Sequence, residues 1–356
     1  MCRHSTGQRL VNPADVSSDI NVDTVAIEGN ELKIEWSDFE KCAHKGFIPL
    51  NYLREHNYNR ETLLKQRQAV KCSPAVSEIP TIEFSELMGS KEGLLKWLQQ
   101  INEDGLSIIK DVPTEESMVT TVAELMGPVF TTIYGTTFDV EAVPDPINVA
   151  YSSEEIGFHM DLVYFESPPG VQLLHCLKFD KCVEGGESIF LDAFTVADQF
   201  RVKFPDLFKI LTEVPGTFQK VHYNRAYPVH IVNQKPHIKL NHLGEIVAVY
   251  WAPPFEGPLL VNEGNVEKYY KAYEMFAKCI NSSPHTLTHR LQPGELVAFN
   301  NQRMLHGRHA FQTNKGTRHL KGCYVNIDVF KSMTQVLNNM IGDGRLAKRV
   351  GNQCWF

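Results

Sequence analysis

The sequence predicts a mostly β protein with flanking helices: a sandwich- or barrel-like β domain behind a small β-rich N-terminal domain. Three observations carry this. From about residue 148 onward the text falls into short apolar strands punctuated by Gly and Pro. Helical periodicity interrupts that rhythm over residues 196–211 and 266–280. The chain also opens with its own strand pair, in which Val25, Ile27, Leu32, Ile34 and Trp36 alternate with polar residues around the turn Glu28-Gly29-Asn30.

In chain order, residues 1–50 form the small domain. Residues 51–79 turn charged and Asn/Gln/Arg-rich without a period, as a surface-crossing connector does. The main domain, residues 80–356, begins with two helices. One spans residues 87–102 and carries Leu94, Leu95, Leu98 and Ile101. The other follows Thr114, read as an N-cap before Glu115 and Glu116, with Met118, Val122, Leu125 and Met126 on one face. Strands are expected at 170–177 and 188–194, on either side of Gly185-Gly186, and at 246–251, 296–299 and 321–327. The 266–280 helix presents Val266, Tyr269, Tyr270, Tyr273 and Ile280 as an apolar stripe, and a last helix is expected over 330–340.

The chain has 356 residues, of which 43% are hydrophobic and 22% charged, so collagenous, disordered and mucin-like classes are excluded. No apolar run approaches the ~18 residues that span a bilayer, so no membrane partner is expected. Thirty-five basic against 42 acidic residues, with no basic tract, offer no footing for nucleic acid. The eight cysteines include no CxxC, and the opening residues show neither an apolar h-region nor an Arg-rich amphipathic helix. A reducing compartment follows, cytoplasmic by default with mitochondrial as the alternative.

The chemistry lies at His159-Met160-Asp161. On a strand the two outer side chains leave one face and can share a metal ion. With 14 histidines in the chain an HxD arises readily by chance, so the third ligand decides its weight. His306 supplies it, in Leu305-His306-Gly307-Arg308, just after the 296–299 strand and before a glycine that permits a turn. Two histidines and one carboxylate are the facial triad of non-haem Fe(II) oxygenases and leave three positions for cosubstrate and O2. Arg318 stands twelve residues beyond His306, at the head of the next apolar strand. Its guanidinium can fork two hydrogen bonds onto the far carboxylate of a keto-diacid. A surface ion pair is the commoner use of arginine, but it leaves the spacing unexplained.

These motifs occur in order with Asn148-Val149-Ala150-Tyr151 and Pro168-Pro169-Gly170-Val171-Gln172-Leu173-Leu174-His175-Cys176. Together they make residues 80–339 resemble the Fe(II)/2-oxoglutarate-dependent oxygenases of the taurine-dioxygenase-like superfamily, within it the gamma-butyrobetaine and trimethyllysine dioxygenases. The resemblance implies a double-stranded β-helix core, also called a distorted jelly roll. It implies catalytic iron on His159, Asp161 and His306, 2-oxoglutarate bound by Arg318 and Leu174, ascorbate as reductant, and a homodimer. The implied reaction is hydroxylation of gamma-butyrobetaine to carnitine, or of a similar trimethylammonium acid, with 2-oxoglutarate decarboxylated to succinate. Trimethyllysine or another small molecule is the alternative substrate. A catalytically silent quaternary-ammonium-binding or assembly protein is the alternative class, but it would have no physical need of all four residues.

The resemblance also supplies a substrate pocket. A trimethylammonium group has no N–H to donate and is best held by aromatic faces. The family's cage aligns onto Tyr134, Phe138, Tyr151 and Tyr324, with Phe138 where vertebrate relatives carry tryptophan. Asn148 matches one of two asparagines that hold the substrate carboxylate; the segment expected to bring the second reads Val249-Tyr250-Trp251-Ala252-Pro253. Finally, the family's N-terminal domain binds a structural zinc through three cysteines and a histidine. Cys2 and His44 match two of the four, which implies a shortened domain or an abandoned zinc site, with Cys42 as a possible substitute.

Overall fold

The computed structural model describes residues 4–36, 44–62, 78–142, 152–344 and 347, with only the backbone of His44. The chain divides into two units, Met1–Gln68 and Ala69–Phe356. In the first, Val22–Glu28, Glu31–Trp36 and His44–Pro49 form an antiparallel sheet, and Glu28 pairs with Glu31 across the expected turn. Gly29 occupies that turn with φ of 63°, which a Cβ would penalise. Cys2 and Cys42 lie outside the described residues, as does the side chain of His44, so the proposed zinc remnant has no described geometry.

The second unit is built on two sheets. The larger has the order Thr81–Glu83, Leu106–Lys110, Leu296–Asn300, Val171–Phe179, Arg318–Val325, Phe138–Glu141, antiparallel except for its first pair. The smaller has the order Leu287–His289, Ser188–Asp192, Met304–Arg308, Ile156–His159. This is the mostly β core with flanking helices that the sequence predicted.

The larger sheet is covered on both faces, which explains why its strands read as nearly unbroken apolar runs. In Leu296–Asn300, Leu296 and Ala298 join Trp97, Leu98, Ile101, Cys323 and Phe330 in a core beneath the helices Lys91–Asp104, Met118–Glu124 and Ile327–Ile341. The alternate residues Val297 and Phe299 meet Leu174, Phe190, Met304 and Leu320 in a second core. A third gathers around the helices Ala193–Lys203, Pro205–Glu213 and Glu263–Asn281. No helix among the described residues is long and apolar enough to cross a membrane.

Several boundaries differ from the sequence reading, each for a local reason. The helix expected over 87–102 is two, Phe84–Gly89 and Lys91–Asp104, because Ser90 turns extended and its Oγ accepts the Gly93 amide at 3.0 Å. Thr114 is not an N-cap. Residues 113–118 make a turn, with the Glu115 amide donating to the Pro113 carbonyl, and the helix starts at Met118. The 196–211 helix also breaks in two, since Pro205 cannot continue the first helix but suits the first turn of the next. The antiparallel hairpin Gly216–His222/Val229–Lys235 was not anticipated.

Candidate metal and substrate site

The site grows from one strand pairing. His306 on Met304–Arg308 stands directly opposite His159 at the end of Ile156–His159. Directly paired residues have Cβ atoms about 5 Å apart, so the two imidazoles meet, with ring centroids 4.3 Å apart. Gly307 is not a turn residue as expected; it lies within the strand. A Cβ there would come 2.4 Å from the Ile156 carbonyl, so glycine permits the close pairing. The strand reading of HxD is likewise corrected. The strand stops at His159, and Asp161 reaches the site from the turn beyond, where buried Leu162 takes a left-handed φ of 54°.

The three side chains nonetheless converge. His159 Nε2 lies 3.4 Å from Asp161 Oδ1, and His306 Nε2 lies 3.9 Å from Asp161 Oδ2. One ligand atom from each falls within 4.8 Å of the others, and this is the one such group of three among the described residues. The Gly157 carbonyl sits 2.9 Å from His159 Nδ1, fixing that ring and leaving Nε2 to face the carboxylate. Burial works against the Asp161 charge. The His159 hydrogen bond, the charges of both histidines and the Tyr324 hydroxyl outweigh it and hold the carboxyl well below the usual range. Burial, then the charge of His159, pushes His306 down to about 3, so it presents the neutral imidazole that metals require. At His159 burial is outweighed by the hydrogen bond and charge of Asp161, which raise its pKa, so a metal there would displace a proton from that ring. Two imidazole nitrogens and a carboxylate, converging and shielded from water, fit Fe(II).

Alternation along Arg318–Val325 builds the rest. Arg318, Leu320 and Tyr324 share a face and all border the cavity that holds the triad. Arg318 is 3% exposed, donates from Nε to the Gly186 carbonyl at 3.1 Å, and lies over the Phe179 ring. Burial, then the like charge of Arg308, pulls its pKa down to about 9, which still leaves it protonated at neutral pH. No carboxylate among the described residues lies within ion-pair distance of it. Such a buried, unpaired guanidinium is costly, and a ligand carboxylate would offset that cost. Leu174 lines the same cavity.

Three of the predicted aromatics are placed, and all three border this cavity: Tyr134, Phe138 and Tyr324. Phe138 stacks on Tyr324 with centroids 5.0 Å apart. Asn148 and Tyr151 lie outside the described residues. Sequence reasoning missed Tyr164, whose hydroxyl is 3.3 Å from that of Tyr134, and Phe255, which meets Tyr164 edge-on. It also missed Arg308 as a cavity residue. Trp251 does not block the cavity. Its ring is buried away from it, stacked on Tyr273 at 4.6 Å, and Ala252 beside it is fully buried. Arg225 bonds the Ile133 carbonyl and sits 5.6 Å from the Tyr134 ring centroid, so one cation already acts on that ring.

Comparison with known proteins follows the same lines. The family described as "Taurine catabolism dioxygenase TauD, TfdA family" matches residues 68–324. Dioxygenase str8 of Strobilurus tenacellus is 33% identical over 348 residues, covering 92% of this chain and 79% of its own. Gamma-butyrobetaine dioxygenase of Pseudomonas sp. (strain AK-1) is 31% identical over 337 residues, covering 93% and 85%. A crystal structure from Burkholderia xenovorans, described as an alpha-ketoglutarate-dependent taurine dioxygenase, superposes with a TM-score of 0.53 at 12% identity, over 70% of this chain and 90% of that one; it speaks to the fold alone.

Proposed function

From the premise that the chain belongs to the TauD/TfdA family and is a 2-oxoglutarate-dependent dioxygenase using Fe(II), we propose that it hydroxylates gamma-butyrobetaine to carnitine, or a similar trimethylammonium acid. The observation that carries the substrate class is the wall of aromatic rings, Tyr134, Phe138, Tyr164 and Tyr324, in the same cavity as the triad. Aromatic faces attract a quaternary cation that no hydrogen-bonding group can hold.

In this reading His159, Asp161 and His306 hold the iron, and Arg318 forks onto the far carboxylate of 2-oxoglutarate with Leu174 packed against its chain. Iron bound there supplies the oxidising chemistry with O2 and the keto acid. The protein supplies placement. Tyr134, Phe138, Tyr324 and, by resemblance, Tyr151 hold the ammonium end, with Asn148 on the carboxylate. The apolar walls keep water from the reacting carbon. We assign catalysis to residues 80–356. By resemblance alone we extend the reading to a homodimer in the cytoplasm, or alternatively in mitochondria.

Purified protein supplied with Fe(II), 2-oxoglutarate, ascorbate and O2 should turn gamma-butyrobetaine into a product heavier by one oxygen, read by mass spectrometry. Turnover of trimethyllysine but not gamma-butyrobetaine would move the assignment to the alternative substrate. Turnover of neither, with other trimethylammonium acids also inert, would sink it.

A further inference from the structure

Asp161 is the one member of the triad that no strand holds, yet its backbone is fixed at both polar atoms by a side chain 140 residues away. Asn301 Oδ1 accepts the Asp161 amide at 2.9 Å, and Asn301 Nδ2 donates to the Asp161 carbonyl at 3.0 Å. The same Nδ2 donates to the Pro169 carbonyl at 3.1 Å. These partners admit one orientation of the amide, because a flip would set donor against donor and acceptor against acceptor. The side chain thus does for Asp161 what a neighbouring strand does for a ladder residue.

Further observations give the latch a purpose. Leu162, the next residue, is 2% exposed and holds a φ of 54°, a conformation unfavourable for a non-glycine residue that persists only where the surroundings impose it. The Met160 amide before it donates to the Trp251 carbonyl at 2.8 Å. Asn301, 0% exposed, is itself anchored, its own amide donating to the Gly170 carbonyl at 2.8 Å. It sits in the turn between Leu296–Asn300 and Met304–Arg308, the strand that carries His306. One turn therefore leads into one ligand and grips the backbone of another.

We propose that Asn301 is a positioning residue for the metal centre: its amide clamps the Asp161 peptide so that the carboxylate meets both imidazoles. The inference rests on the metal reading of the triad, and the test separates the two. Metal-free wild type, Asn301→Ser and Asn301→Asp are titrated with Co(II), following the visible ligand-field bands, with thermal melting in parallel. Gln302→Ala is the control; it removes a single bond of the same turn, from Gln302 Nε2 to the Pro168 carbonyl.

Both Asn301 variants should melt cooperatively, bind Co(II) about 10–100-fold more weakly and show altered bands. Gln302→Ala should keep wild-type affinity and bands. Wild-type affinity and bands in a folded Asn301→Ser overturn the inference, as does an equal loss in Gln302→Ala. Wild type that binds no Co(II) overturns instead the metal reading beneath it. Should neither Asn301 variant fold, hydrogen exchange in the metal-free wild type decides: the Asp161 amide should be protected as the Met160 amide is, and free exchange overturns the clamp.

Discussion

The hydroxyl of Tyr324 donates to Oδ2 of Asp161 at 2.7 Å, so a residue read from sequence as part of a substrate cage also holds the carboxylate of the triad. The ring and the hydroxyl do different work. The ring borders the cavity and stacks on Phe138, while the hydroxyl points one oxygen of Asp161 and helps keep it ionised.

Tyr324→Phe keeps the aromatic face and removes only that hydrogen bond. It should weaken metal binding by about 10-fold or more while raising the KM for substrate little, the scale on which partners of metal ligands act. Fe(II) dependence of initial rates, compared with substrate dependence at saturating metal, separates the two. A change confined to substrate KM would leave the hydroxyl without its role.

Arg318→Lys keeps the charge and loses the fork. The guanidinium also loses its place over Phe179 and its bond to the Gly186 carbonyl. The KM for 2-oxoglutarate should rise about 10–100-fold, the worth of one charge-assisted hydrogen bond of roughly 1.5–3 kcal/mol, with a smaller change in kcat. A wild-type KM would remove Arg318 from the 2-oxoglutarate site.

The scaffold behind the site depends on a buried ion pair. Arg303 donates from Nε and Nη2 to Asp192 Oδ2 at 3.1 and 2.7 Å, while Asp192 Oδ1 caps the helix Ala193–Lys203 through the Phe194 amide. Asp192→Ala takes the carboxylate from a guanidinium that is 3% exposed, leaving it the Asn102 and Glu103 carbonyls among its partners, and should cost about 3 kcal/mol, measured as a lower urea midpoint. A loss under about 1 kcal/mol would show that the pair is compensated locally.

Glu256 predicts a pH effect of defined sign. Its Oε1 is buried without a partner, and burial raises its pKa from 4.5 to about 6 despite the Tyr273 hydrogen bond. An acid with a raised folded pKa costs nothing below pH 4.5, and its cost grows as pH climbs to about 6 and then stays. Glu256→Gln should therefore stabilise the protein at pH 7 by about 1 kcal/mol, after discounting for partial exposure, and leave it unchanged at pH 4. Melting temperatures at the two pH values check this; equal shifts at both would exclude titration as the cause.

Much of the site was legible because its chemistry is written in short spans. His159 and Asp161 are two residues apart, Arg318 follows His306 by twelve, and alternation on one strand puts Arg318 and Tyr324 on the same face. What stayed hidden is held by distance. Asn301 reads as an ordinary turn residue, and nothing local marks its two bonds to Asp161, 140 positions away. Tyr164 lies in an apolar stretch where a core role is the default reading. The Gly216–His222/Val229–Lys235 hairpin escaped because its residue types do not alternate: Val229–Lys235 alternates in burial but puts Val232 at an exposed position and Asn233 and Lys235 at more buried ones, and Gly216–His222 has no period of two. The helix break at Pro205 could have been found from the proline alone.

In the proposed reading His159, Asp161 and His306 bind Fe(II), and 2-oxoglutarate chelates it beside Arg318. Anaerobic titration of the Fe(II)-loaded protein with 2-oxoglutarate, followed by visible absorption, tests this directly. A saturable metal-to-ligand charge-transfer band is expected in the wild type and none in His159→Ala. No band in the iron-loaded wild type, or an undiminished band in His159→Ala, would contradict it.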